Sequence, residues 1–287
     1  MQYSTPIQLV ECPRDAMQGW HQFIPTDVKI NYINSLLQVG FDTIDFGSFV
    51  SAKAIPQMAD TVAVLKGLQL SASSSKLLAI VANKRGAEEA VLYDEISYLG
   101  FPFSISPTFQ FKNTNSTIEE SLNRVDEIQE LCLKNNKTLV VYLSMAFGNP
   151  YNDAYETAIL EKWAYEMVQK NISIISLADT VGLATPVQIS NALTRLIPTY
   201  SNTIFGVHLH SQFNNFEEKL LAAFKAGCTR FDGALKGIGG CPMAQNDLVG
   251  NMTTELMIDW LENNHVHLAI NKSALEKSIT IANSIFI

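Results

Sequence analysis

The sequence predicts a (β/α)8 TIM barrel with an extra C-terminal helix. Short apolar, β-branched runs alternate with longer amphipathic ones about eight times, at a spacing of roughly thirty residues, the size of a βαβ unit. Strand-like runs such as TLVVYLSM and ISIISLA are apolar throughout, which suits a parallel sheet covered on its outer face. The competing architecture is an open doubly wound sheet, which expects GxGxxG after the first strand, where this chain reads ECPRDAMQG.

Each element follows from local pattern. The strands are expected at Ile7–Cys12, Thr43–Phe49, Lys76–Ala82, Ser97–Ile105, Thr138–Met145, Ile172–Ala178, Ile204–His210 and Thr229–Ala234, with helical periodicity between them. Thr26 is the expected cap of the helix DVKINYINSLLQVG, and Gly40 its stop. Ser116 opens STIEESLNRVDEIQELCLKNN, with Glu119 at capping-box spacing. From about Asn271 to Ile287 the run NKSALEKSITIANSIFI predicts an amphipathic helix that packs on the barrel or in an oligomer interface. No Pro/Gly/Ser-rich linker interrupts the series, so residues 1–287 are expected to form one catalytic domain.

Composition narrows the function classes. Hydrophobic residues make up 47% and charged ones 17%, enough for a sizeable core and incompatible with global disorder. A formal net charge of −8 argues against sequence-independent nucleic-acid binding and against retention on an anionic membrane. No apolar run approaches the ~20 residues of a membrane span, and the first residues show no secretory pattern. Cys12, Cys132, Cys228 and Cys241 form no CxxC pair and are expected as reduced, independent thiols of a cytoplasmic protein. Three lie in apolar patterns, whereas Cys241 stands between Gly239-Gly240 and Pro242.

A barrel of this kind carries its chemistry at the carboxyl ends of its strands. Val207-His208-Leu209-His210 closes an apolar strand, and residues i and i+2 share a face, so the two imidazoles project together as a grip for a divalent metal. The plainer alternative is a pair of histidines bonded to neighbouring loops. The first strand ends in Glu11-Cys12-Pro13-Arg14-Asp15. Asp15 can add a carboxylate to the metal, and Arg14 can hold its charge for an oxygen that becomes anionic in reaction, unless the two simply pair with each other. After the eighth strand, Lys236 to Asn251 is a glycine-rich run. There Gly239 and Gly240 let the backbone approach a substrate, and Cys241 suits a proton donor on a closing loop. Asn251 can offer an amide oxygen to the metal or cap the last barrel helix. Asp45, near the end of strand two, and Asp179, at the end of strand six, are candidate functional acids that can equally satisfy backbone N–H groups in their turns.

Taken together, ECPRDAMQ, GFDTIDFGSFVSAKAIPQMAD, SLADTVGLATP, GVHLH and GIGGCPMAQ followed by GNMTTE resemble the 3-hydroxy-3-methylglutaryl-CoA lyases, in the same order along almost the whole chain. The resemblance implies cleavage of that thioester to acetyl-CoA and acetoacetate, a step of leucine breakdown, with Mg2+ or Mn2+ as cofactor and a homodimer as the assembly. It places metal ligands on Asp15, His208, His210 and Asn251, the polarising arginine on Arg14, the mobile-loop cysteine on Cys241 and an active-site aspartate on Asp179. The general base stays open between His208, Asp45 and a bound water. Three features depart from the family pattern. Asp45 stands where glutamate is usual, which withdraws the carboxylate by about 1.5 Å. Ser211-Gln212 replaces Asp-Thr after the histidine pair, and one residue is added between Cys241 and Asn251. A related aldolase or Claisen-type enzyme acting on another 3-hydroxyacyl-CoA or a 2-oxo acid is the alternative activity, and a catalytically silent binding barrel is the alternative of another class.

Overall fold

A computed structural model describes residues 6–239 and 250–287. Strand β1 (Gln8–Glu11) leads into a short helix α1 (Pro13–Gln18) and then α2 (Thr26–Leu36). Strand β2 (Thr43–Ser48) is followed by α3 (Thr61–Lys66), β3 (Lys76–Ile80) by α4 (Lys84–Ala90), and β4 (Ile96–Ser104) by α5 (Pro107–Thr114) and α6 (Ile118–Lys134). Then come β5 (Thr138–Ser144) with α7 (Thr157–Gln169), β6 (Ile174–Ala178) with α8 (Pro186–Thr199), and β7 (Ile204–His208) with α9 (Phe216–Lys225). Strand β8 (Arg230–Gly233) precedes α10 (Thr254–Asn263), and α11 (Lys272–Ile285) ends the chain. Neighbouring strands pair in parallel, and β8 pairs with β1, closing the (β/α)8 barrel that the sequence predicts.

The strands are buried on both faces because helices cover the outside and side chains fill the inside. Leu78, Val140, Tyr142 and Ile174 form a small apolar cluster inside the barrel, distinct from the larger core between sheet and helices. Cys12, Cys132 and Cys228 are buried free thiols, as their apolar surroundings predict. Among the described residues, no helix is long and apolar enough to cross a membrane.

Several boundaries move by a residue or more, each for a local reason. The capping box of α6 is Thr117 with Glu120, not Ser116 with Glu119. Thr117 Oγ1 accepts from the Glu120 N–H at 3.2 Å, and Glu120 Oε2 accepts from the Thr117 N–H at 2.8 Å. Ser116 is buried and its hydroxyl oxygen instead accepts from Arg124 and Gln110. Thr26 lies inside α2 behind Pro25, its hydroxyl donating to Asp60 at 2.7 Å. That helix stops at Leu36, and Gly40 serves the turn that follows. Its φ is +96°, and a Cβ there would lie 2.7 Å from the Ala269 carbonyl oxygen.

Of the two placements open to the terminal helix, the structure shows packing on its own barrel. The Asn271 side chain caps α11 by accepting from the Ala274 N–H at 3.1 Å, and Ser278 Oγ meets Ser35 Oγ of α2 at 2.9 Å. Beyond α11, the buried Phe286 ring lies edge-on to Trp20 and Tyr32, with centroids at 5.2 and 6.1 Å. Removing that ring leaves a void under the helix, so Phe286→Ala is expected to cost about 3 kcal/mol. A shift of the urea unfolding midpoint with unchanged m-value checks it.

Candidate active site

The chain turns from β1 straight into α1, and Pro13 at the helix start pre-sets the first turn. This puts Arg14 and Asp15, both nearly fully buried, at the carboxyl end of the barrel. The Arg14 guanidinium is held on two sides. Its Nε donates to both Asp45 oxygens at 3.2 and 3.0 Å, Nη2 to Asp45 Oδ2 at 2.5 Å, and Nη1 to Asp15 Oδ1 at 3.1 Å. Burial alone would favour losing its proton, but the two carboxylates more than offset this and keep Arg14 a cation. Asp45 sits in β2 beside a register shift that runs to Gly47, a bulge of the kind that re-aims side chains.

Opposite Arg14, barrel closure brings Asp15 to His208 and His210. One ligand atom from each lies within 4.8 Å of the other two. Strand β7 ends at His208, two residues before the predicted limit, and His210 lies beyond it, bridged to Asn251 by antiparallel backbone pairing. The two imidazoles stand edge to face with centroids 5.3 Å apart. Asn251 does not open the last barrel helix, which starts three residues later at Thr254. Its Nδ2 donates instead to Asp15 Oδ2 at 2.8 Å and to the Ile238 carbonyl at 3.0 Å.

Several atoms here are buried without a hydrogen-bond partner among the described residues, notably both ring nitrogens of His210 and Oδ1 of Asn251. Leaving such a group unmet costs ~1–3 kcal/mol, and a bound cation would take a lone pair from Asn251 Oδ1 and from one His210 nitrogen. At His210 and Asp15 protonation does not compete with it near neutral pH, whereas at His208 burial, which favours the neutral ring, is outweighed by Asp232 and Asp15, so that ring holds its proton more tightly than usual. Burial, followed by the neighbouring His208, lowers His210 to about 4. Burial pushes Asp15 upward, but Arg14, His208 and the Asn251 hydrogen bond outweigh it and bring the carboxyl down to about 2. A carboxylate oxygen, imidazole nitrogens and an amide oxygen are donors for a divalent metal ion, and the residues fit one.

Gly239 belongs to the same corner. Its φ is +130°, and a Cβ would lie 2.2 Å from Asn251 Nδ2 and 2.9 Å from Asp15 Oδ2. Only glycine lets the backbone pass this close to the ligand set. Gly240 and Cys241 lie outside the described residues.

A cavity of about 330 Å³ opens beside the cluster. Arg14, Asp15, His208 and His210 form its polar wall, Ser144 and Thr180 add hydroxyls, and Val50, Ile55, Ile80, Pro102 and Tyr142 make it largely apolar elsewhere. Two expected acids are not on that wall. Asp45 spends both oxygens on Arg14 and reaches the cavity only through it. Asp179 lies just past β6, where Oδ2 accepts from Lys219 Nζ at 2.8 Å and Oδ1 from the Ala184 N–H at 2.9 Å. Because Lys219 also donates to the His210 carbonyl at 2.7 Å, Asp179 supports the backbone that carries His210.

Sequence reasoning missed the carboxylate behind His208. Asp232, wholly buried in β8, meets His208 Nδ1 at 3.2 Å. It also left Glu11 unused. Glu11 ties β1 to the opposite side of the closure, accepting from the Leu235 N–H at 2.9 Å and the Thr254 hydroxyl at 2.6 Å. The available signal was strand alternation in Arg230-Phe-Asp232, which turns both charged residues into the barrel.

The HMGL-like family model matches residues 7–281. The chain belongs to the HMGL-like family. It is 32% identical to the hydroxymethylglutaryl-CoA lyase of Bacillus subtilis, over 98% of this chain and 93% of that one. It is 33% identical to the mitochondrial hydroxymethylglutaryl-CoA lyase of Mus musculus, over 94% and 82%. A solved HMG-CoA lyase from Acinetobacter baumannii, in complex with coenzyme A and 3-methylmalate, superposes with a TM-score of 0.92 at 29% identity, covering 100% of this chain and 93% of that one.

Burial is the main influence on Glu11 and raises it to about 8, against the opposing hydrogen bonds from Thr254 and Leu235. Between the ordinary value of 4.5 and about 8 the folded chain holds a proton that the unfolded chain has lost, so this group costs stability as pH rises through that window. Glu11→Gln removes that dependence. The variant is expected to gain stability over the parent at a pH of about 8.5 and to gain little at pH about 5, read from urea unfolding at both values.

Proposed function

We propose that this HMGL-like protein is a divalent-metal-dependent carbon–carbon lyase that cleaves 3-hydroxy-3-methylglutaryl-CoA to acetyl-CoA and acetoacetate. The observation that carries it is Arg14 fixed beside the Asp15, His208 and His210 cluster at one end of a largely apolar cavity. Similarity to the hydroxymethylglutaryl-CoA lyases of Bacillus subtilis and Mus musculus over nearly the full chain supports the substrate.

In this reading Asp15, His208, His210 and Asn251 hold the ion. Oxygen and imidazole donors with room for substrate oxygens suit Mg2+ or Mn2+. The chemistry such an ion supplies when bound is Lewis acidity toward the substrate's tertiary alcohol. A bound water takes the alcohol's proton, the oxygen's electron pair forms the carbonyl of acetoacetate, and the C2–C3 bond breaks with its electron pair passing to the thioester as an enolate. Arg14 faces the cavity with its charge fixed by Asp45 and Asp15, so it stabilises the developing anionic oxygen without having to reorganise. The apolar wall of Val50, Ile80, Pro102 and Tyr142 excludes water from the enolate until carbon is protonated. Cys241 keeps the donor role that its place in the chain suggests, giving its thiol proton to C2 to form acetyl-CoA and regaining the proton that the alcohol lost.

Acetoacetate release from the thioester, with Mg2+ or Mn2+ and after chelation, tests the assignment. Turnover is expected with either ion and none with chelator, and no acetoacetate under any of these conditions overturns it. Arg14→Met is expected to lower kcat by ~2–4 kcal/mol of transition-state stabilisation while Mn2+ still binds. Cys241→Ser is expected to keep the fold, seen by circular dichroism, and lose most turnover.

A further inference from the structure

We propose that Asp232 is a positioning residue that selects the His208 tautomer and thereby presents Nε2 of that ring to the cation site. The inference rests on the reading of His208 as a metal ligand and adds a residue that neither the family resemblance nor the motifs single out.

The geometry leaves little freedom to the imidazole. His208 Nδ1 lies 3.2 Å from Asp232 Oδ2, and the carboxylate side chain is fully buried. A carboxylate only accepts, so the ring nitrogen facing it carries the hydrogen. The ring is also bracketed by two aromatic neighbours set edge to face, Tyr142 at 5.9 Å and His210 at 5.3 Å between centroids. With Nδ1 committed, Nε2 is the nitrogen left with a free lone pair for the set shared with Asp15 and His210. A carboxylate behind a ligating histidine fixes ring orientation and raises its basicity, and losing such a partner costs ~10–100-fold in metal affinity.

Asp232 is not held in place for some other purpose. Its second oxygen, Oδ1, is buried with no hydrogen-bond partner among the described residues. A residue kept only to brace the fold would have that oxygen satisfied, or be replaced by an apolar side chain. The neighbouring thiol of Cys12 approaches the same pair. Its recorded hydrogen bond runs to the Val10 carbonyl, so the Asp232–His208 contact is left undisturbed.

The test reads the ring directly. With 15N-histidine in the metal-free protein, His208 is expected as the Nδ1–H tautomer at a pH where it is neutral. In Asp232→Asn the side-chain amide can donate to Nδ1, so the tautomer is expected to switch to Nε2–H. Mn2+ affinity, followed by the electron paramagnetic resonance of free Mn2+, is then expected to fall ~10–100-fold. Asp232→Ala, which removes both donor and acceptor, is expected to show mixed tautomers and a similar loss of Mn2+. An Nε2–H tautomer in the parent protein overturns the proposal whether or not the variants fold. So does an Asp232→Asn protein whose tautomer is unchanged and whose Mn2+ affinity stays within about twofold. Failure of the lyase assignment would appear instead as absent acetoacetate with the tautomer as expected.

Discussion

Closure of the barrel between β8 and β1 is the constraint on which the site rests. Asp15 follows the first strand, His208 ends the seventh with His210 just beyond it, and Asn251 follows the eighth. Asn251 and Asp15 meet at 2.8 Å although 236 residues separate them. Nothing local brings them together. The parallel ladder does so, with Gln8 to Glu11 in register with Arg230 to Gly233. Glu11 reinforces the seam by taking hydrogen bonds from Leu235 and Thr254 on its far side. The same ladder that stabilises the core therefore sets the spacing of the ligands, and a slip at this seam would be felt by the site first.

The carboxylates around that seam show how one fold keeps chemically identical groups in different states. Glu11 is surrounded by the closure, with only neutral donors, so burial dominates and it is raised to about 8. Asp15 is buried as well, yet a guanidinium, an imidazole and an amide outweigh burial and leave it ionised above about 2. Asp45 falls between, pushed by burial and pulled back by Arg14, at about 6. The differences come from which partner the backbone places beside each acid. They leave Asp15 ionised at the ligand cluster, with Arg14 beside it to limit the charge that must be desolvated.

Much of the architecture was legible because its signals are local and repeated. Alternation of apolar runs with amphipathic ones gave eight strands in order, and the positions of Arg14, Asp15, His208 and His210 at strand ends followed from the barrel rule. The misses share a different character. Whether Ser116 or Thr117 caps α6 depends on Arg124 and Gln110 having already engaged the serine, a tertiary fact. For Asn251 the sequence leaves metal ligand and helix cap both open, and only the long-range pairing that bridges it to His210 removes the cap. Asp179 stood at a strand end, as functional acids do, but Lys219 from α9 reaches it and turns it into a support for His210. Asp232 was overlooked for the opposite reason, since it lies within a strand where a buried side chain is expected to be apolar.

The aspartate at position 45 gains a structural explanation from the same contacts. With its short side chain, Asp45 keeps both oxygens on the Arg14 guanidinium, and its carboxylate stays within the barrel wall. A longer acid at this place would carry its oxygens about 1.5 Å further along the side chain, toward the side of Arg14 that faces the cavity. In this chain the acid acts on Arg14 alone, and Arg14 alone of the pair meets the cavity. Asp45 thus holds a preorganised guanidinium whose orientation is set from behind. The electrostatic task at the mouth is thereby divided cleanly: Asp15 and the imidazoles serve the ion, and Arg14 serves the oxygen on which negative charge develops.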